Sequence, residues 1–462
     1  MTAHVRSLLI VLLLLTGPAP AFAQEIVTVP TFGQITIYRP VAAIQSVVLF
    51  ISGDGGWNLG VVAMAERLRG FGALVVGVDI RSFVKSLDAA NGCAYPAGAL
   101  EELSRAVQLR LELPAYRRPI LVGYSSGATL VYASLAAAPP ETFAGAISLG
   151  FCSDLEIRAP LCQMRGLRAT KKTKGVGYDL APFAGSTVPW QVLQGEVDQV
   201  CAPDTTRAFV VATGSAVLSS LPKVGHGFGV PANWEPHFIA AYRAMVTTQP
   251  RNEMPRASAP AVADLSLVEV AATGADRSDT LAVVLTGDGG WADLDKRVAA
   301  GLAAAGVPVV AWSSLEYYWT PRTPERAAAD LARIIDYYTT TWRKTRVLVV
   351  GYSFGADVAA FLINRLPDAL RMRIASVSLL GPSSMASFAF RLTSWFGGGG
   401  EPRYLTVPEI ARVKAPVTCI YGADEVESVC RALAGARVRA TSVGEGHHFG
   451  GEYAKLVELI LR

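Results

Sequence analysis

The sequence predicts an α/β protein made of two related halves, each a mostly parallel sheet flanked by helices. Short continuous apolar runs, such as 47–51 and 347–350, alternate with amphipathic helical patterns. This alternation is typical of parallel strands that are covered on both faces. Four motifs also occur twice in the same order, which indicates an internal duplication.

The composition is that of a folded chain. Of the 462 residues, 51% are hydrophobic and 17% are charged, which excludes a disordered protein. The formal net charge is only +4, from 42 Lys and Arg against 38 Asp and Glu, so nothing favours a nucleic-acid partner. The mean hydropathy of +0.33 is high enough that a membrane segment has to be sought.

The N-terminus has the pattern of an export signal. Arg6 precedes an apolar run over 7–15, and a small-x-small site follows at 21–23. The run is too short to span a bilayer, so we expect a secretory signal over residues 1–23 that is cleaved without leaving an anchor. An uncleaved anchor is the alternative interpretation.

The domain boundary is predicted from a change in composition. Residues 247–263 contain several prolines and small residues without periodicity, which is typical of a linker. The first domain then covers 24–246 and the second covers 264–462. Each has a length that suits one compact α/β domain.

The six cysteines are an even set in a chain that we expect to be exported, which favours disulfides over free buried thiols. Cys419 and Cys430 are the only two in the second half and are predicted to pair. The sequence leaves open how the four in the first half pair: Cys93, Cys152, Cys162 and Cys201. Neither a Cys/His cluster nor a nucleotide-binding or His-Glu-x-x-His motif is present, so we expect neither a metal nor a cofactor.

The repeated motifs carry the elements of nucleophilic catalysis. Gly-x-Ser-x-Gly lies between an apolar strand and a helical pattern at 123–127 and again at 351–355. In this context it is the nucleophile elbow of α/β-hydrolases, so the fold is predicted to be two tandem α/β-hydrolase-like domains. An acid and a histidine follow each serine in the order that this fold uses. The candidate catalytic residues are Ser125, Asp198 and His226 in the first half, and Ser353, Asp424 and His447 in the second.

Two choices in the second half stay open. His447 is preferred to His448 because Phe449 then aligns with Phe228 of the first half. The acid is less certain, because Asp424 has two carboxylate neighbours, Glu425 and Glu427.

Candidate donors for an oxyanion accompany each serine. The first is the amide N–H of the residue that follows the nucleophile, Ser126 or Phe354. The second comes from the repeated Gly-Asp-Gly-Gly-Trp loops at 53–57 and 287–291, through the amides of Asp54, Gly55, Asp288 and Gly289. Lipases carry a related glycine-rich loop with histidine in place of the aspartate, so these aspartates could instead contact a cationic part of the substrate.

The second half resembles the bacterial virulence proteins VirJ and AcvB. The resemblance is carried by the loop at 286–291, the Tyr-Tyr-Trp-Thr-Pro-Arg-Thr-Pro-Glu stretch within 314–325, the elbow at 351–357, and the segments 421–425 and 446–449. A related first half that precedes a VirJ-like half is the order of the longer AcvB type. The resemblance implies a periplasmic hydrolase that releases lysine from lysyl-phosphatidylglycerol, with the main activity on Ser353 and a role in envelope lipid homeostasis and virulence.

The resemblance also implies partners. An aminoacylated phospholipid at the membrane surface is the expected substrate, and its extra positive charge could be met by Asp288, Asp357 or Glu425. Aromatic residues at 317–319 and 385–396 are expected to form either an apolar rim or part of the core. Basic residues between 158 and 174 would attract anionic headgroups unless they form a solvated loop.

Two other functions stay open. The chain could be a periplasmic binding protein for type IV secretion or virulence factors without enzymatic activity. It could also be a general carboxylesterase or lipase, which would not require an ammonium group on the acyl part of the substrate.

Overall fold

The computed structural model describes residues 24–90, 92–162, 166–248, 261–275, 279–390, 404–425, 428–433, 435 and 437–462. The predicted signal at 1–23 lies outside the described residues, as does most of the predicted linker. Among the described residues, no helix combines the length and the apolar character that crossing a bilayer requires.

The first half is built around an eight-stranded sheet. Its strands are β1 (Glu25–Val29), β2 (Gly33–Tyr38), β3 (Ser46–Ile51), β4 (Ala73–Val78), β5 (Ile120–Tyr124), β6 (Gly145–Leu149), β10 (Trp190–Gly195) and β11 (Val217–Leu221). They lie in the order β1-β2-β4-β3-β5-β6-β10-β11. Only the β1–β2 and β2–β4 pairs are antiparallel, and all others are parallel.

Where the structure describes this half, six helices and a small second sheet complete it. The helices are α1 (Leu59–Gly70), α2 (Ile80–Ala89), α3 (Pro96–Arg110), α4 (Ser126–Ala137), α5 (Pro203–Thr213) and α6 (Glu235–Thr248), with a 3-10 turn at Pro231–Asn233. The strands β7 (Asp154–Leu155), β8 (Arg168–Lys171) and β9 (Tyr178–Ala181) pair in the order β7-β9-β8, and β8 carries Arg168 and Lys171 of the basic segment.

The second half repeats this plan with seven strands. The sheet consists of β12 (Leu267–Val270), β13 (Thr280–Leu285), β14 (Val309–Trp312), β15 (Arg346–Tyr352), β16 (Ile374–Leu380), β19 (Val417–Tyr421) and β20 (Val438–Ser442). The order is β12-β14-β13-β15-β16-β19-β20, and only β12 is antiparallel to its neighbour. A separate pair is formed by β17 (Met385–Ala386) and β18 (Tyr404–Leu405).

The described residues of this half form eight helices. They are α7 (Asp293–Ala304), α8 (Ser314–Tyr317), α9 (Pro324–Thr341), α10 (Phe354–Asn364), α11 (Asp368–Arg371), α12 (Thr406–Ala411), α13 (Cys430–Leu433) and α14 (Tyr453–Ile460), with a 3-10 turn at Phe449–Gly451.

Each sheet separates two apolar layers. In β3, Leu49 points into one buried cluster while Phe50 points into the cluster on the opposite face. In β13, Val283 and Val284 divide in the same way. Strands with two buried faces need continuous apolar runs, which is the pattern that the sequence contains. The predicted fold of two α/β-hydrolase-like units is therefore confirmed.

Three disulfides join the six cysteines. The predicted Cys419–Cys430 pair is confirmed. In the first half, Cys93 pairs with Cys162 and Cys152 pairs with Cys201, a choice that the sequence had left open.

The two halves contact each other beside α3. The indole Nε1 of Trp319 donates a hydrogen bond to the Leu113 carbonyl at 2.7 Å, and its ring packs against Tyr116 with 5.5 Å between centroids. Trp319 is only 7% exposed, and the two tyrosines before it are also buried. Of the two alternatives for 317–319, the core position is therefore correct and the apolar rim is wrong. The stretch 391–396 lies outside the described residues.

Candidate active site

Both candidate nucleophiles lie at a sharp turn between a strand and a helix. Ser125 joins β5 to α4 with φ = 56°, and Ser353 joins β15 to α10 with φ = 51°. Glycine is required around this turn: a Cβ on Gly127 would lie 2.4 Å from the Ile51 carbonyl oxygen, and one on Gly123 would lie 2.2 Å from the Gly127 carbonyl oxygen. The same close approaches occur at the second elbow, at Gly351 and Gly355.

The structure brings the three predicted residues of the first half together. Ser125 Oγ lies 2.8 Å from His226 Nε2, and His226 Nδ1 lies 2.9 Å from Asp198 Oδ2. The Asp198 side chain has no exposed surface. Its other oxygen accepts the N–H groups of Val200 at 2.8 Å and Cys201 at 2.9 Å, which fixes the orientation of the carboxylate.

The environment of Asp198 keeps it charged. Burial by itself raises the pKa of this carboxyl, but the hydrogen bonds from His226 and from the two backbone N–H groups outweigh burial. The pKa of Asp198 therefore lies below its ordinary value. Because the charged carboxylate accepts a hydrogen bond from Nδ1–H of His226, the Nε2 atom is unprotonated and can accept the serine proton.

In the second half, Glu425 rather than Asp424 completes the arrangement. Ser353 Oγ lies 2.8 Å from His447 Nε2, and His447 Nδ1 lies 2.8 Å from Glu425 Oε1. Asp424 instead accepts a hydrogen bond from the N–H of Gly446. The prediction of Asp424 as the partner of His447 is therefore wrong, and the third candidate, Glu427, lies outside the described residues.

The register of the repeat holds the signal that the sequence analysis missed. Asp198 stands three residues after Gly195, and Glu425 stands three residues after Gly422. Gly195 ends β10 and Gly422 directly follows β19. At both, the backbone of the histidine loop approaches so closely that a Cβ would lie within 2.4 Å of a carbonyl oxygen. Alignment on these glycines selects Glu425, whereas alignment on residue type selects Asp424.

His447 is the histidine that reaches the serine, as preferred from the sequence. His448 turns away, with its Nδ1 3.3 Å from the Tyr352 hydroxyl. Burial, followed by the neighbouring His447, lowers the pKa of His448. His448 therefore supports the wall of the site and does not contact Ser353.

The predicted oxyanion donors lie beside the serines. Ser126 and Phe354 are the first residues of α4 and α10, so their N–H groups have no acceptor within their own helix. The glycine-rich loops pass close by: a Cβ on Gly53 would lie 2.9 Å from Ser125 Cβ, and one on Gly287 would lie 3.6 Å from Ser353 Cβ. The loops that carry the other predicted donors, Asp54 and Gly55 in one and Asp288 and Gly289 in the other, therefore begin next to the nucleophile.

The first site opens into a cavity of its own. This cavity of about 490 Å³ is lined by Ser125, His226 and the loop at 53–56, together with apolar side chains of α1. All of its lining residues belong to the first half. Its mouth carries Val200, which is 67% exposed.

A second cavity, of about 740 Å³, lies between the two halves. The second half contributes Asp288, Phe354 and Asp357 to its wall, and α3 of the first half contributes Glu102 and Arg105. Because Phe354 follows the nucleophile directly, this cavity begins at the oxyanion side of Ser353. We call it the inter-half cavity.

Charge in the inter-half cavity is mainly negative. Arg105 donates to Glu101 Oε1 at 2.5 Å and to Asp288 Oδ2 at 2.6 Å. Desolvation raises the pKa of Asp288, but the Arg105 charge outweighs it, so this pKa lies below its ordinary value. Burial raises the pKa of Asp357 to about 7, although Ser383 donates two hydrogen bonds to it.

Glu102 also has a raised pKa, with desolvation as the main cause. Among the described residues that line the cavity, Arg105 is thus the one cation, against four carboxylates: Glu101, Glu102, Asp288 and Asp357.

One group of described residues has the composition of a metal site. The ligand atoms of Asp198, Cys201 and His226 lie within 4.8 Å of one another. Cys201 is bonded to Cys152, however, and a disulfide sulfur is not the thiolate that a metal requires. These residues therefore fit the triad and its support better than a metal.

Comparison with known proteins identifies the family. The family described as bacterial virulence protein (VirJ) matches residues 45–151 and 279–462, which is more than half of the chain. The chain belongs to the VirJ family. The match includes both elbows and both glycine-rich loops, and it includes Glu425 and His447 but not Asp198 or His226. The family match does not distinguish the AcvB type from other members of the VirJ family.

Curated proteins gave no match to the sequence. Among solved structures, Est1E from Butyrivibrio proteoclasticus is 14% identical with a TM-score of 0.33, covering 49% of this chain and 98% of its own. XC6422 from Xanthomonas campestris, a serine hydrolase without a lid, is 21% identical with a TM-score of 0.34, covering 50% and 96%. Thermogutta terrifontis esterase Est2 is 17% identical with a TM-score of 0.33, covering 50% and 95%.

Proposed function

We propose that this VirJ-family chain is an exported serine esterase whose second triad hydrolyses the aminoacyl ester of lysyl-phosphatidylglycerol. The observation that carries the proposal is the Ser353–His447–Glu425 chain of hydrogen bonds beside an acidic cavity. The triad supplies the chemistry of ester cleavage, and the cavity supplies the preference for a cationic acyl group.

The chemistry follows from the positions of the atoms. Ser353 Oγ attacks the ester carbonyl while His447 Nε2 takes its proton, and Glu425 stabilises the imidazolium that forms. The N–H groups of Phe354 and of the 287–290 loop bind the oxyanion of the tetrahedral intermediate. His447 then returns the proton to the departing glycerol oxygen, which releases phosphatidylglycerol and leaves lysyl-Ser353. Water, activated by His447, hydrolyses this ester and frees lysine.

The choice of acyl group rests on the charges that remain available. Of the three carboxylates proposed from the sequence to meet the lysyl charge, Glu425 is engaged by His447 and Asp288 by Arg105. Asp357 has no cationic partner among the described residues, and Glu102 joins it from the opposite wall. A lysyl ammonium would place a positive charge between two carboxylates that burial otherwise disfavours in their charged form.

Localisation in the periplasm is part of the proposal. Its support is the signal-like N-terminus and the use of all six cysteines in disulfides, which persist in oxidising compartments. Exposed lysines on the small first-half sheet, Lys171 and Lys174, suit an approach to the anionic headgroups of the membrane.

The first triad is proposed as a second serine hydrolase site. It has the same serine-to-histidine distance as the second, and its acid is charged and buried. Its separate cavity means that its substrate need not be the same.

The test is release of free lysine from vesicles of lysyl-phosphatidylglycerol in phosphatidylglycerol by the mature protein. We expect release by wild type, loss of at least about a thousandfold in Ser353→Ala, and near wild-type release in the matched control Ser125→Ala. Cleavage of a simple ester without lysine release would leave a general carboxylesterase. If neither substrate is cleaved, a binding role for secretion or virulence factors replaces the enzyme.

A further inference from the structure

The two glycine-rich loops are fastened in different ways. Each forms the same internal turn, with a hydrogen bond from Gly56 N–H to Gly53 O at 2.9 Å in the first half and from Gly290 N–H to Gly287 O at 3.1 Å in the second. Both loops also pack against the nucleophile and the tyrosine before it, but the polar side chains that hold them differ.

The first loop is held from within its own half. Asn58 Nδ2 donates a hydrogen bond to the Gly55 carbonyl at 2.6 Å, and Arg81 covers Gly56 so closely that a Cβ there would lie 2.0 Å from its guanidinium. The carboxylate of Asp54 is exposed and takes part in no hydrogen bond or ion pair with the described residues. This loop therefore keeps its shape without using its aspartate.

The second loop lacks the tether that Asn58 provides in the first, and the side-chain hydrogen bond that it has from its own half joins Thr286 Oγ1 to the Gly287 carbonyl at 3.1 Å. The position that matches Asn58 is Ala292, which has no group to bond to the loop. Asp288 is the only residue of 287–290 with a side chain. An ion pair that holds this loop must therefore be made with Asp288. Arg105 of α3 makes it at 2.6 Å, across 183 residues of sequence.

Arg105 is well placed to act as a rigid support. Its side chain is 15% exposed and is fixed at the other end by Glu101, one helical turn away. Nearby, Leu315 belongs to the buried cluster between the halves, with Tyr116 and Trp319, and it also packs against Gly290. The first half thus touches the second loop through one ion pair and through this apolar cluster.

We propose that Arg105 of the first half is a positioning residue for the Ser353 site, which fixes the 287–290 loop so that its N–H groups point at the oxyanion. This inference rests on the proposed function, because it assumes that Ser353 cleaves esters. An oxyanion donor acts only when it is held at the position where negative charge develops. A loop with three glycines in four residues does not hold such a position unaided.

The experiment measures turnover of a short-chain p-nitrophenyl ester by the full chain in two backgrounds. In Ser125→Ala protein only Ser353 contributes, and in Ser353→Ala protein only Ser125 contributes. We expect Arg105→Gln to lower kcat of the Ser353 site about tenfold to a hundredfold with KM within about twofold, because the interaction matters only in the transition state. Turnover at Ser125 should stay within twofold, which shows that the fold is intact.

A matched control separates positioning from general contact between the halves. Lys296 of the second half also forms an ion pair across the interface, with Glu141, but it does not touch the loop. Lys296→Gln is expected to leave kcat of the Ser353 site within twofold. Arg105→Lys should recover only part of the loss, since one ammonium does not reproduce the forked contact to Glu101 and Asp288.

A double-mutant cycle with Asp288→Asn completes the test. If Arg105 acts through Asp288, each single variant and the double variant lose the same amount. Losses that add, equal losses at both serines, or an unchanged kcat in Arg105→Gln would overturn the proposal. A different result would overturn the proposed function of Ser353 itself. This result is that Ser125→Ala protein, which retains Ser353, cleaves no ester, whether or not the Ser125 site of the unsubstituted chain does. The positioning role would then fail with it.

Discussion

The two triads of this VirJ-family chain have the same hydrogen bonds and different surroundings. In each, the serine oxygen lies 2.8 Å from a histidine nitrogen. In the first, the histidine is 16% exposed and its aspartate not at all. In the second, the histidine is 43% exposed and its glutamate 22%. The first site is enclosed by its own half, whereas the second opens toward a cavity that both halves line.

This difference teaches how a duplicated unit can diverge without losing its chemistry. The elbow and the serine–histidine pair tolerate little change, because the strained turn and the reacting atoms fix their positions. The acid, the loop tether and the cavity walls tolerate more, since other residues can supply the same support. The second site uses this freedom to take part of its wall and its loop support from the first half.

The largest expected effect concerns the acid of the second triad. In the Ser125→Ala background, Glu425→Gln should lower kcat on a simple ester by about 10³ to 10⁴, because the imidazolium loses its charged partner. Asp424→Asn should cost less than about tenfold, since among the described residues Asp424 bonds only to the backbone of Gly446. Steady-state kinetics of both variants checks this, and a greater loss in Asp424→Asn would contradict the assignment.

The next effect concerns the disulfides beside the acids. Cys152–Cys201 closes a 49-residue separation and holds the loop whose Cys201 N–H binds Asp198. Replacing both cysteines with serine should lower the free energy of unfolding by about 2–4 kcal/mol. Cys419–Cys430 closes only 11 residues, so its removal should cost less. Urea unfolding measures both, and equal or reversed losses would show that loop closure is not the cause.

A buried carboxyl in the second half distinguishes the two units in their response to pH. Asp295 of α7 is 2% exposed, burial raises its pKa to about 8, and the matching residue of the first half is Val61. Between about pH 4 and 8 the folded chain holds a proton there that the unfolded chain has released, so stability falls as pH rises, by up to about 1.4 kcal/mol per unit.

Asp295→Val should remove this contribution. The free energy of unfolding is measured in urea from pH 5 to 8 for both proteins. The value for the variant minus the value for wild type should increase steadily as pH rises. Parallel curves for the two proteins would mean that Asp295 is not a proton-binding group of the folded state.

The smallest effect is a preference for charge. A lysyl and a norleucyl ester share the α-ammonium and differ in the side-chain ammonium. Because the pKa of Asp357 is raised to about 7, its carboxylate charges between pH 6 and 8, and the ratio of kcat/KM for lysyl over norleucyl ester should rise about threefold to tenfold in that range. In Asp357→Asn, this ratio should no longer depend on pH. The control is Glu156→Gln, at an exposed residue outside the cavity, which should keep the pH dependence of wild type. A ratio that is independent of pH in wild type would exclude Asp357 from recognition.

The sequence was sufficient for the fold and for most of each triad, because both are local patterns. Apolar runs mark strands buried on two faces, and the glycines of the elbow mark a turn that no other residue fits. The acid of the second half failed because Asp424 and Glu425 are adjacent carboxylates, and only the distance from Gly422 separates them. Contacts between the halves, such as Arg105 with Asp288, leave no periodic trace in the sequence, so they could not be predicted.

The central claim is that both triads activate their serines. The most direct measurement is to treat the mature chain with a fluorophosphonate, digest it, and quantify the modified peptides that contain Ser125 and Ser353 by mass spectrometry. We expect phosphonylation at both serines. The double substitution Glu425→Gln with His447→Ala should abolish it at Ser353 and leave it unchanged at Ser125. Absence of label at either serine in the folded protein would contradict the claim.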